Sequence, residues 1–187
     1  MDMHEKTDLR ILKTKKSLYA SLLELLENHT FEEIKVSEIC SKALINRSTF
    51  YTHFEDKYSL LDSLIKDLKT NLVSGLRENK NISNSKEYYL EVINILLTHV
   101  EKEKNFYIPI VTNNRNSIAM DMIYDALKED IENRLKKENK SEIPNDFVSN
   151  FYLGAISYVG IEWLRNKCNY PKEKIIEYLE RLIPKDI

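Results

Sequence analysis

Apolar residues recur every three or four positions along most of this chain, the spacing that lines one face of a helix. Leu12, Leu18, Leu22, Leu25 and Leu26 predict a long amphipathic helix over 9–28. Val36, Ile39, Cys40 and Ala43 share one face of a short second helix. Asn46 then offers N-cap chemistry to a third over 47–54, in which Phe50 and Phe54 lie four apart and face inward. Leu60, Leu61, Leu64, Ile65, Leu68 and Leu72 carry a fourth helix toward Asn79. Asn84 and Glu87 resemble a capping pair for a fifth, with Tyr89, Val92, Ile93, Leu96, Leu97 and Val100 on its apolar face. The segment "NFYIPIVTNN" contains Pro109 and predicts a short, interrupted element. Ile118, Met122, Ile123, Leu127, Ile131 and Leu135 mark a seventh helix. Pro144 opens an eighth running through Trp163, and Pro171 a ninth running to about Ile183.

Composition agrees with an all-α protein of about nine helices. Three glycines and four prolines are too few for the turns of a strand-rich fold, and 31% of the 187 residues are charged. With 42% apolar residues the chain can fill one large core or two small ones. The polar, Asn-rich stretch "ENKNISNS" over 78–85 reads as the boundary between two modules. Cys40 and Cys168 stand far apart outside any motif, which suits buried or reduced thiols and a cytoplasmic setting. No signal peptide is visible, and no run approaches the roughly 20 apolar residues of a membrane span.

The densest candidate chemistry lies in "LINRSTFYTHFEDKYSLL", residues 44–61. A supporting helix over 36–43, a turn over 44–46 and a helix from 47 have helix-turn-helix spacing. With Phe50 and Phe54 inward, the helical period sends Arg47, Ser48 and Thr52 outward, together with Tyr51 and His53. Arginine reads guanine bidentately, hydroxyls accept or donate to bases and phosphates, and cations fix phosphates. Lys57, opening the fourth helix where amides already favour an anion, is a candidate phosphate clamp. A plain solvated helix would carry similar residues, and periodicity alone does not separate the two readings. The net charge of −2 demands that any DNA site be a local basic patch, for which Lys13, Lys15, Lys16, Lys35, Lys42, Arg47 and Lys57 are available.

The block "VSEICSKALINRSTFYTHFEDKYSLL", preceded by a long helix and "TFEEI", resembles the DNA-binding domain of the TetR family of bacterial transcriptional regulators. The resemblance covers about residues 8–68 and leaves 80–187 as a helical effector-binding and dimerisation domain, whose last helices are similar to a subgroup from low-GC Gram-positive bacteria. It implies a homodimer, typically a repressor, whose two helix-turn-helix units enter successive major grooves of a palindromic double-stranded operator. Arg47, Ser48 and Thr52 match the base-reading face, while Thr49, Tyr51, His53 and Lys57 match positions that touch phosphates or support such contacts. Three departures stand out. Leu44 replaces a glycine, which argues against a left-handed backbone at that turn. Lys35 replaces a threonine, leaving a point charge for a phosphate and passing the capping role to Ser37. Cys40 replaces a common alanine, a volume change that a core can absorb.

The C-terminal module says less. Gly154, Ser157 and Gly160 form a ridge of small residues that suits close helix pairing, either within a subunit or across a dimer two-fold with Ile176 and Leu179 of the ninth helix. Tyr89, Phe106, Tyr107, Tyr124, Phe151 and Tyr158 are candidates for lining an effector pocket, although core packing is the commoner fate of such side chains. His99 and Glu103, at i and i+4, make two ligands and no metal site. No phosphate-cradling loop, nucleophile elbow or cofactor-binding motif is present, so neither an enzyme nor a cofactor is expected. A C-terminal domain that senses a partner protein instead of a small molecule remains the alternative.

Overall fold

In a computed structural model of the chain, residues 3–73, 85–114, 117–138 and 143–183 are described. They contain nine helices and no strand: α1 (Met3–Leu26), α2 (Val36–Ala43), α3 (Arg47–Tyr51), α4 (Lys57–Val73), α5 (Ser85–Lys102), α6 (Lys104–Asn113), α7 (Ile118–Glu138), α8 (Asn145–Arg165) and α9 (Lys172–Leu182). No helix among them is long and apolar enough to cross a membrane. Of the expected boundary over 78–85, residues 78–84, with the Asn84 cap, lie outside the described residues, and Ser85 is the first residue of α5.

Two cores organise these helices. The first joins Leu18, Leu22 and Leu26 of α1 to Phe31, Ile34, Ile39, Cys40, Phe50, Phe54, Leu60 and Leu61. Ala119 of α7 belongs to the same cluster, with Ile110 of α6 and Met122 packed against it. The helix-turn-helix unit is therefore not a separate bead. The second core gathers Ile93 and Leu97 of α5, Trp163 of α8, and Ile175, Leu179 and Ile183 at α9. Trp163 satisfies its indole N–H on the Tyr170 carbonyl at 2.8 Å, fixing the α8–α9 connection. Tyr19 ties α1 to α4 through its hydroxyl, 2.8 Å from Ser63 Oγ and 2.9 Å from Asp67 Oδ2.

Three sequence expectations change. α3 ends at Tyr51, not Phe54: the His53 and Phe54 amides both return to the Phe50 carbonyl, at 2.9 and 3.0 Å, which closes the helix early. α6 is a continuous helix with Pro109 inside it. A proline there removes one backbone bond and crowds the preceding turn, a cost of about 3 kcal/mol. Burial of Val111 and packing of Ile110 against the first core offset it. α1 begins at Met3, ahead of the expected start at residue 9, and Leu9 and Leu12 at the start of its expected apolar face are exposed.

Candidate nucleic-acid interface

The turn between α2 and α3 is built by a left-handed residue after all. Leu44 has φ 56° and ψ 39°, correcting the expectation from its missing glycine. Its amide donates to the Ser41 carbonyl at 3.3 Å, and the Ile45 amide to the Cys40 carbonyl at 3.0 Å. This pair of bonds closes a helix end on a left-handed residue, normally glycine. Ile45 packs on the first core while Leu44 is 93% exposed, so burial of the neighbour drives the chain through the strained conformation.

At the start of α2 the capping expectation also shifts. Lys35 occupies the cap position, and Glu38 reaches back to accept its amide at 2.7 Å. Ser37 lies inside the first turn and is exposed. Asn46 occupies the cap position of α3, yet its side chain makes no capping bond.

α3 presents a two-sided helix. Phe50 is wholly buried and Phe54 nearly so, with ring centroids 5.8 Å apart, and these two rings pin the inner side. Arg47, Ser48, Tyr51 and Thr52 are exposed, with Thr49 and His53 half-buried beside them. Tyr51 stands edge-on to Phe50 at 5.3 Å, which props its phenol outward. The Thr52 hydroxyl donates to the Thr49 carbonyl at 2.7 Å, leaving its lone pairs for a donor.

The basic residues divide into engaged and exposed. Lys42 pairs with Glu24 at 2.6 Å, and Lys15 lies 5.8 Å above the Phe54 ring. Lys57 is the larger surprise. Its ammonium donates to the carbonyls of Phe31, Glu32 and Ile34 at 2.8–2.9 Å and sits 4.9 Å from the Phe31 ring centroid. Burial lowers its pKa below the usual lysine value, against the raising pull of Glu32 and Glu38. All three donors of the expected phosphate clamp are thus committed to the connection between α1 and α2. Lys13, Lys16, Lys35 and Arg47 remain exposed. The Ser17 hydroxyl donates to the Ala43 carbonyl at 3.1 Å, which seats this part of α1 against the end of α2.

Between α7 and α8 lies an open groove of about 600 Å³, walled by Asp121 and Tyr124 on one side and Asn150, Leu153, Gly154 and Tyr158 on the other. Of the aromatics expected at a pocket, Tyr124 and Tyr158 line it. Tyr107 instead meets His99 Nε2 at 2.8 Å, and Phe151 is 67% exposed on α8. The side chains of Tyr89 and Phe106 lie outside the described residues.

The expected dimer face also divides. Leu179 is buried in the second core, and Ile176, half-buried, packs against it. On α8, by contrast, a Cβ added at Gly154 or Gly160 would meet nothing within 4 Å, so these glycines do not serve close packing inside the subunit. Ser157 Oγ donates to the Leu153 carbonyl. Phe147, Phe151 and Tyr158, all more than half exposed, fall on one helical face with Gly154. Sequence reasoning assigned Phe151 and Tyr158 to a pocket and so did not join them with Phe147 and Gly154 into one face.

Comparison with known proteins follows the same division. A profile described as "Bacterial regulatory proteins, tetR family" matches residues 18–64, and one described as "Transcriptional regulator C-terminal region" matches 87–185. The HTH-type transcriptional regulator YxbF of Bacillus subtilis (strain 168) is 36% identical over 56 residues, 30% of this chain and only 15% of that protein's length. A TetR transcriptional regulator from Streptococcus agalactiae 2603V superposes with TM-score 0.69 at 25% identity, over 97% of this chain and 99% of its own. The transcriptional regulator FadR from Bacillus subtilis, solved with stearoyl-CoA, shares the fold at TM-score 0.64 and 18% identity, over 92% of this chain and 98% of its own.

Proposed function

We propose, from the premise that this chain belongs to the TetR family of bacterial transcriptional regulators, that it is a sequence-specific repressor released from a palindromic operator by an effector. The observation that carries the reading is the two-sided α3: Phe50 and Phe54 hold its inner face, and Arg47, Ser48, Tyr51 and Thr52 stand exposed on the other. Arg47 and Ser48, with the acceptor side of Thr52, read base edges. Lys35, Ser37, Thr49, Tyr51 and His53 contact or support the phosphate backbone, and exposed Lys13 and Lys16 extend that surface. Lys57 acts at one remove, by holding the connection that leads into α2.

In this reading residues 8–68 form the DNA-binding domain and 80–187 the regulatory domain of a cytoplasmic homodimer. The exposed face of α8 around Phe147 and Phe151 is the dimer seam. An organic effector enters the groove between α7 and α8 and favours a state in which the recognition helices are wrongly spaced. It weakens operator affinity by the difference between its affinities for the two states. The test is selection of fragments from the source genome by the purified protein at two salt concentrations. A shared palindrome whose affinity falls steeply with salt supports the proposal; weak binding with no common motif at either salt refutes it.

A further inference from the structure

The corner between α6 and α7 and the connection between α1 and α2 cap each other's helices. Asn114 is 1% exposed. Its Oδ1 accepts the Phe31 amide at 2.8 Å, and its Nδ2 lies 3.1–3.4 Å from the carbonyls of Ile110, Leu26 and His29. Leu26 is the last residue of α1, where helix carbonyls lack an intrahelical donor. Asn113 Nδ2 adds a bond to the next carbonyl, Glu27, at 2.7 Å. The return contact comes from Glu32, whose Oε1 accepts the amide of Ile118, the first residue of α7, at 2.7 Å. A carboxylate there satisfies an orphan amide and suits the helix dipole. Ser117 Oγ donates to the Asn114 carbonyl at 2.9 Å and stiffens the corner, while Lys57 grips the far side of the same connection.

The same α7 carries the groove. Asp121 and Tyr124 stand on its wall one and two turns beyond Ile118, whereas Ala119 and Met122 pack into the core of the helix-turn-helix unit. We infer that Asn114 and Glu32 are positioning residues: their reciprocal caps lock the helix-turn-helix to α7 as one joint, so that displacement of α7 at the groove re-aims the recognition helix. Moving α7 away would strand the buried Asn114 amide and the Phe31 amide and Leu26 carbonyl that it serves, and would also break the exposed Glu32 cap. The link to operator binding rests on the function proposed above, while the joint itself rests on these contacts.

Amide hydrogen exchange on the full-length protein tests it, comparing wild type with Asn114→Ala, Glu32→Ala and Glu32→Gln. A working joint makes the two ends respond together. Asn114→Ala speeds exchange by about tenfold both at 28–34 and in the first turn of α7, and Glu32→Ala does the same from the opposite side. Glu32→Gln keeps an acceptor and stays near wild type, a rescue that simple loss of side-chain bulk does not produce. On the selected operator both alanine variants bind about tenfold more weakly with an unchanged salt slope, because no phosphate contact is removed. If Asn114→Ala loosens only 28–34 and Glu32→Ala only the start of α7, the contacts are local and the inference is wrong. Glu32 is exposed, so its variants keep the test available if Asn114→Ala does not fold. If wild type itself selects no operator, the proposed function falls while the exchange comparison still decides the joint.

Discussion

Leu44→Gly should stabilise the protein, although it removes a leucine. The residue sits at φ 56°, ψ 39°, where its Cβ crowds the following carbonyl. For an L-residue that conformation costs roughly 1–2 kcal/mol, and glycine escapes it. Against this stands the greater entropy that glycine loses on folding, about 0.5–1 kcal/mol. At 93% exposure the leucine side chain contributes almost no packing that could be lost. The balance is a gain of about 0.5–1 kcal/mol. With a urea m-value of about 2 kcal/mol/M, the midpoint rises by about 0.3–0.5 M. Far-UV circular dichroism in urea reads it, at one fixed protein concentration because the chain is proposed to dimerise. Leu44→Ala is the control: it shortens the side chain but keeps the Cβ, so its midpoint should stay near wild type. A lower midpoint for glycine, or an equal gain for alanine, would refute the argument that backbone strain is stored at this turn.

Arg47→Ala should weaken operator binding by about 1–3 kcal/mol and relax sequence preference at one base pair, read by repeating the fragment selection with the variant. Lys57→Met should lower stability by about 1–3 kcal/mol, because three carbonyls lose their donor, yet leave the salt slope of operator binding unchanged. A shallower slope would return Lys57 to the phosphate backbone. Tyr19 carries a pH signature: burial, first, and then Asp67 push its pKa up from 10.0 to about 12. Its folded value exceeds its unfolded one, so the stabilisation is complete below pH 10 and is lost as pH rises toward 12. Denaturation of Tyr19→Phe at pH 8 and pH 11 should show a smaller loss across that interval than wild type shows.

How much of this was legible in the sequence depends on how far apart the interacting residues lie. The helix-turn-helix could be read because its information is local: Phe50 and Phe54 declare the inner face within one turn, and that face fixes where Arg47 and Ser48 go. The proline boundaries of α8 and α9 were legible for the same reason. Leu44 was misread because side-chain preference points one way and packing of its half-buried neighbour Ile45 decides the other. Lys57 was misread because its charge is visible in sequence whereas its acceptors, 23–26 residues earlier, are not. Asn114 gave no signal at all. An Asn pair in a polar stretch looks like a loop, and its partners across the joint lie 83–88 residues away. The pocket aromatics fall between these cases: an aromatic-rich module is apparent, but only three-dimensional packing separates Tyr124 and Tyr158 from Tyr107 and Phe151.

The distribution of charge explains how a chain with net charge −2 can still attract a polyanion. Toward the C-terminus many cations are matched on their own helix: Lys128 with Glu132, Arg165 with Glu162, and Lys174 and Arg181 both with Glu177. Exposed pairs of this kind add little stability, but they cancel the field at a distance. Around the helix-turn-helix the pattern differs, because Lys13, Lys16, Lys35 and Arg47 are exposed without an ion pair among the described residues, while Lys42 is tied to Glu24 and Lys66 to Asp62. Glu32, Glu33, Glu38, Glu55 and Asp56 are exposed in the same domain, so the cationic patch is confined to Lys13, Lys16, Lys35 and Arg47. Such a patch would steer the molecule onto DNA by one face. It also gives the interior position of Lys57 a consequence, since a lysine that holds the approach to α2 tightens the geometry of the patch without adding to its charge.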